Sequence, residues 1–278
     1  MHATPPAPRA SHTPHKQAPV PLLTIRGFGN FSLWRGAHLL EEREWGRRKC
    51  KRLLKYIVLS PDHTLSKDAA TDMLWGDADP QSASANFYRT LYHLRRVLEP
   101  MSPHSHSHYI TLEGGLLRLV SECVHSIDVD EFVRGVEAGQ RAARSGDPAA
   151  WDQLSAAVRL YADDLSTDDL YDDWLQPWRE QLRNQYLGAL CDLADLAAGA
   201  DQLDLAIQYL RQAFRKDNSD EAACLKLMQA LARSGQRAEA LQHYTACEKA
   251  LAELGLPLSA ELLAARRDLL AGQMSLPS

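Results

Sequence analysis

The segment LSKDAATDMLWGDADPQSASANFYRTLYHLRRVLEP (65–100) constrains the fold most, because both ends of two successive helices are marked in it. Ser66 is placed to cap a first helix, with Leu65 before it packing on Ala70. Ala69, Met73 and Leu74 supply its apolar side, and Gly76 stops it. Asp79-Pro80 restarts a helix, Asp as the cap and Pro at the first helical position, and Pro100 closes it. About four residues, one of them Gly, separate the two helices, which is helix-turn-helix spacing.

The second helix has two faces. At 100° per residue, Phe87, Leu91, Leu94 and Leu98 fall within about 40° of one another. Ala85, Arg89, Tyr92, His93 and Arg96 lie opposite, with Ser82 and Asn86 on the flank. Arg can bond guanine bidentately and Asn adenine, and all these polar groups can reach phosphate. No Asp or Glu occurs on this face before Glu99, whereas a solvated helix normally intersperses acids with bases.

The neighbouring segments complete a pattern. Leu22–Leu40 is rich in strand formers and punctuated by Gly27, Gly29 and Gly36, which predicts short strands with tight turns. In WGRRKCKRLLKYIVLSP, Cys50, Leu53, Leu54, Ile57 and Val58 share one helical face. Arg47, Arg48, Lys51, Arg52 and Lys55 take the remaining positions, where they can hold phosphates or simply be solvated. HYITLEGGLLRLV places two strand-prone runs around Glu113-Gly114-Gly115, a hairpin signal. Strands, three helices and a hairpin, in that order, make a winged helix, with Arg118 on the wing within reach of a phosphate or the minor groove.

Charge follows the same division. Residues 1–125 hold 16 Lys/Arg and 11 Asp/Glu, residues 126–278 hold 15 and 25. A basic first half suits an anionic partner for that half alone, against the plainer reading of composition drift. Five scattered cysteines fit reduced thiols in a cytoplasm, and no apolar run of membrane-spanning length occurs. Residues 1–20 read as a disordered tail rich in Pro, Ala, Ser and Thr.

The second half repeats. Ala206-Ile207 and Ala240-Leu241 are 34 residues apart, as are Leu193 and Leu227, and Ala198 and Ala232. That is the period of tetratricopeptide (TPR) helix pairs. Asp217-Asn218 and Ser234-Gly235 mark turns, and AAVRLY, LAIQYL and EALQHY share one pattern. Such stacks present a surface to a partner. Trp151, Trp174 and Trp178 read as packing anchors there. The expected fold is mainly α: a winged helix-turn-helix with short strands over 21–122, then a TPR-like helical domain over 126–274.

The run from Arg47 to Pro100 resembles the winged helix of SARP-type (Streptomyces antibiotic regulatory protein) bacterial regulators, which is of the OmpR type. The matching features are the Leu-Leu helix, the LW that ends the next helix, and LRRVLEP ending the recognition helix. SIDVDEFVRGVEAG, LYDDWLQPWREQLRNQYLGALCDLADLA and LMQALARSGQRAEALQHYTACEKALAELGLPLSAEL resemble the bacterial transcriptional activator domain that follows it, so the resemblance spans roughly 22–272. It implies a cytoplasmic activator that reads promoter DNA, often tandem direct repeats. It also implies a helical domain that dimerises on DNA or contacts RNA polymerase.

The DNA contacts expected on this reading are Ser82, Asn86, Arg89, Tyr92, His93 and Arg96, with Arg47, Arg48, Lys51 and Arg118 on phosphates. Three other readings carry less. HSHSH (104–108) spaces three imidazoles as metal ligands could be, but a loop between helix and wing explains it better. The Asp-rich stretch 162–174 lacks the spacing of a calcium loop and reads as capping and a solvated turn. There is no phosphate-binding GxxxxGK[ST] loop and no catalytic triad, HExxH or paired-carboxylate arrangement, so neither an enzyme nor a cofactor is expected. The rival to a DNA-binding regulator is a TPR-type adaptor in which the winged helix is a packing module.

Overall fold

The structure, a computed structural model, describes residues 20–100, 107–169 and 173–272. It forms two compact units: residues up to 24 with 34–125, and residues 25–33 with 126 onward. The 25–33 segment, expected with the winged helix, therefore groups with the helical unit.

The chain opens with β1 (Leu23–Arg26), β2 (Ser32–Arg35) and β3 (His38–Leu39). Three helices follow: α1 (Arg48–Leu59), α2 (Lys67–Trp75) and α3 (Pro80–Leu98). Between α1 and α2 lies a short strand, β4 (Thr64–Ser66), and after α3 come β5 (Ile110–Glu113), β6 (Leu116–Leu119) and β7 (Val124–Ile127). One sheet has the order β3-β2-β1-β7, the other β4-β6-β5. β5 and β6 form the expected hairpin, with Ile110 opposite Leu119 and Glu113 opposite Leu116. Its two-residue turn, Gly114-Gly115, has φ of 57° and 80°, which glycine adopts without strain. β4 was not foreseen; it adds a third strand, pairing Leu65 with Leu117.

Helix ends sit where the capping residues put them. Ser66 Oγ accepts from Ala69 N at 3.1 Å, and Asp79 Oδ1 from Ser82 N at 3.0 Å. The core of this unit joins Cys50, Leu53, Leu54 and Ile57 of α1 to Ala70 and Leu74 of α2 and Phe87, Leu91, Leu94 and Leu98 of α3. Two expectations fail here. Ala69, expected on the buried side of α2, is exposed, while Ala70, expected under Leu65, is buried. Lys51 and Lys55, expected on the outer face of α1, are 7% and 1% exposed. The methylene stem of Lys51 packs along the apolar face while its ammonium reaches Glu42 at the surface; Lys55 is buried outright.

The helical unit comprises α4 (Asp128–Ser145), α5 (Ala149–Leu160), α6 (Gln176–Gly199), α7 (Leu203–Lys216), α8 (Glu221–Arg233), α9 (Arg237–Glu253) and α10 (Ala260–Ala271). The 34-residue period falls on α6/α8 and α7/α9, and Leu193, Leu227, Ala206 and Ala240 are all buried. Small residues let the first pair close up: a Cβ on Gly139 of α4 would stand 2.5 Å from Leu154 Cγ of α5. The Asp-rich stretch is not simply solvated. Asp164 lies in an ionic cluster with Tyr161, Arg183 and Lys216, and buried Arg179 donates to the carbonyls of Leu165, Ser166 and Asp169 at 2.9–3.0 Å. Among the described residues no helix is long and apolar enough to cross a membrane.

Candidate nucleic-acid interface

α3 is 19 residues long and contains no Asp or Glu. Its inner side is sealed by Phe87, Leu91, Leu94 and Leu98, so the remaining side chains are forced outward. Ser82, Arg89, Tyr92 and Arg96 are exposed and Asn86 and His93 half-buried, as the helical wheel requires. The acid just beyond the helix is also withdrawn from that face. Glu99 is buried, accepting from Ser107 Oγ, from the His108 backbone N at 2.8 Å and from His108 Nδ1 at 2.9 Å. Burial pushes its carboxyl up, but these hydrogen bonds outweigh it and hold the group below the usual range.

The entrance to α1 frames one edge of the α3 face. Arg47, Trp45 and Glu44 line a groove of about 320 Å³ together with His93 and Arg96 of α3. Burial, then the charges of Arg47, Arg89 and Arg96, hold the His93 imidazole below its ordinary pKa. The structure thus gathers four of the expected contacts, Arg47, Arg89, His93 and Arg96, into one electropositive region.

The wing frames the other edge. Arg95 donates through Nε and Nη2 to Ile110 O at 3.2 and 3.0 Å, tying α3 to β5. Lys67 N donates to Gly115 O at 2.7 Å, joining the start of α2 to the hairpin turn. The Lys67 ammonium reaches Ser84 Oγ at 3.0 Å and lies 4.7 Å from the ring centre of Tyr88, which is 51% exposed. Lys67, Ser84 and Tyr88 were not expected in the interface. The clue was present, since Ser84 and Tyr88 are one helical turn apart, but nothing in the sequence placed Lys67 beside them.

Of the expected phosphate contacts, Lys51 is withdrawn from solvent and Arg118 stays exposed on the wing. Lys51 is buried, and its Nζ meets Oε2 of the exposed Glu42 at 2.9 Å, so its charge is already paired. Arg118 is exposed on β6 and leans on Thr64 Oγ1 at 3.4 Å, along the wing and behind its turn. Arg48 is exposed at the first position of α1. Several other cations of the first half serve the fold: Arg35 Nη1 donates to Val97 O at 3.0 Å at the end of α3, and Lys49 Nζ to Leu74 O.

His104 and His106 lie outside the described residues, and His108 is engaged by Glu99. Among the described residues no three His, Cys, Asp or Glu side chains are grouped as metal ligands, and all five cysteines are free thiols.

Residues 127–270 match the model of the bacterial transcriptional activator domain. Over 258 residues the chain is 27% identical to "Regulatory protein AfsR" of Streptomyces griseus, covering 90% of this chain and 25% of that protein. The chain therefore spans a quarter of the length of that curated relative. Its fold is shared with Mycobacterium tuberculosis EmbR, solved in complex with a low affinity phosphopeptide. The TM-score is 0.73 at 22% identity, over 91% of this chain and 66% of that one. With the activator-domain match covering more than half its length, the chain belongs to the SARP-type bacterial transcriptional regulators.

Proposed function

We propose that the protein is a cytoplasmic, sequence-specific transcriptional activator that lays α3 in the major groove of promoter DNA. The observation that carries this reading is the acid-free outer face of α3, second helix of a helix-turn-helix, framed by the Arg47 groove and by the Lys67–wing contact. Arg89, Asn86 and Ser82 face base edges, Arg96 and His93 the edge of the groove, and Tyr92 a sugar or phosphate. Arg47, Arg48 and Arg118 hold backbone phosphates; Lys51, turned onto Glu42, is left out of that set. The division into a DNA-binding domain over 21–122 and an activator domain over 126–274 belongs to this reading. The helical unit supplies contacts to RNA polymerase and to a second copy bound at a neighbouring repeat. No cofactor takes part.

A second reading, a protein-binding adaptor, draws on a groove of about 690 Å³ where Trp151 and Arg159 of α5 meet Tyr209 and Gln212 of α7. The two readings separate in a gel shift of the intact chain on the DNA upstream of its own gene, over a salt series. Salt-sensitive, saturable binding supports the regulator. No binding to this or any genomic fragment, with a folded protein, leaves the adaptor.

A further inference from the structure

We infer that Arg47, His93 and Arg96 form one seat for a phosphodiester of the DNA backbone, and that His93 takes up a proton when the phosphate is seated. The inference rests on the DNA-binding reading above. The three side chains line a single groove of about 320 Å³ at the edge of α3, open enough for an oxyanion. Two guanidinium groups supply forked donors that match phosphate geometry, and the imidazole stands on α3 one helical turn before Arg96.

The charges around His93 decide the direction of the proton. Arg47 faces it from the entrance to α1, and Arg89 and Arg96 from its own helix. Glu44 also lines the groove; its carboxylate accepts from His38 Nε2 at 3.0 Å and from the Glu41 backbone N–H at 2.8 Å, which keep it ionised and turned to those donors, so the two guanidinium groups must outweigh one negative charge. Before a phosphate is seated, burial and then the charges of Arg47, Arg89 and Arg96 favour the neutral imidazole. A phosphodiester adds a negative charge within the same groove and a hydrogen-bond acceptor, both of which favour imidazolium. The proton is therefore bound with the DNA. Affinity is greatest below the pKa of free His93 and is lost as pH rises through the pKa in the complex, by up to about tenfold per pH unit.

The test follows the His93 Cε1–H resonance of the intact chain from about pH 5 to 9 by NMR. Three samples are compared at equal ionic strength: protein alone, protein with a random-sequence duplex of about 20 base pairs, and protein with about 10 mM inorganic phosphate. The expected result is an upward shift of the His93 titration with duplex and none with inorganic phosphate. In anisotropy titrations the duplex Kd should rise with pH for the wild type and stay flat for His93→Asn. Duplex that binds while His93 titrates unchanged overturns this inference alone. A shift with inorganic phosphate but not with duplex assigns the seat to a free anion and overturns it too. Duplex that fails to bind at any pH removes the DNA-binding reading with it. The wild-type titration stands even if His93→Asn does not fold.

Discussion

Asp164→Asn tests how the activator domain is held together. The Asp164 carboxylate accepts from Tyr161 OH at 2.5 Å, Arg183 Nη2 at 2.8 Å and Lys216 Nζ at 3.0 Å. Burial alone would push its pKa up; the three donors overcome that and hold it at about 2, against 3.8 for a free Asp. A depression of this size corresponds to about 2 kcal/mol of stability at neutral pH. The side chain is only 23% exposed, so screening by solvent trims this modestly. The amide keeps the shape and loses the charge. At pH 7 the variant should lose about 2 kcal/mol, or about 4–8 °C in the melting midpoint for a domain of this size. The folded carboxyl is more acidic than the unfolded one, so its contribution is whole above about pH 4 and is lost as pH falls toward 2. Wild type and variant should therefore differ by about half as much at pH 3 and converge near pH 2. Urea unfolding followed by circular dichroism across this range measures the gap. A gap that stays constant with pH, or none at pH 7, would refute the electrostatic account.

Three other outcomes follow from the packing and the charge placement. Gly139→Ala should destabilise the α4–α5 pair by about 1–3 kcal/mol, read from denaturant midpoints, because its Cβ would fall 2.5 Å from Leu154 Cγ. Arg95→Ala should speed amide exchange in β5 while leaving the helical unit unchanged, since Ile110 O loses both its guanidinium bonds. If Arg47, Arg48, Arg96 and Arg118 meet phosphates, log K for DNA should fall with log salt at a slope of about −3.6. Arg47→Ala should reduce that slope by about 0.9, and Lys51→Met, which removes a charge already paired with Glu42, should not change it.

The winged-helix order was legible because its boundaries are local. Asp79-Pro80, Ser66 and Gly114-Gly115 act on their immediate neighbours, and helical periodicity assigns Phe87 and Leu91 inward without tertiary knowledge. The 34-residue period likewise located paired helices. What escaped depends on distant partners. Periodicity put Lys51 and Lys55 outside the apolar stripe, yet both are buried, and Lys51 is paired with Glu42, nine residues earlier. Lys67 reaches the interface through the hairpin turn at Gly115 and through Ser84 and Tyr88. The Asp-rich stretch looked solvated because Arg183 and Lys216, which neutralise Asp164, stand 19 and 52 residues away in sequence. Asp128 escaped for the same reason: it accepts from the Gly27 and Phe28 amides about a hundred residues earlier.

The most direct test of the central claim is the affinity of the intact Arg89→Ala protein for its promoter site and for random duplex, measured beside its melting midpoint. Arg89 is exposed on the acid-free face of α3, turned away from Phe87 and Leu91. The account predicts an unchanged midpoint and loss of the preference for the promoter site, with weak binding to random duplex retained. A lowered midpoint with promoter preference intact would show that this face of α3 packs against protein and does not read DNA.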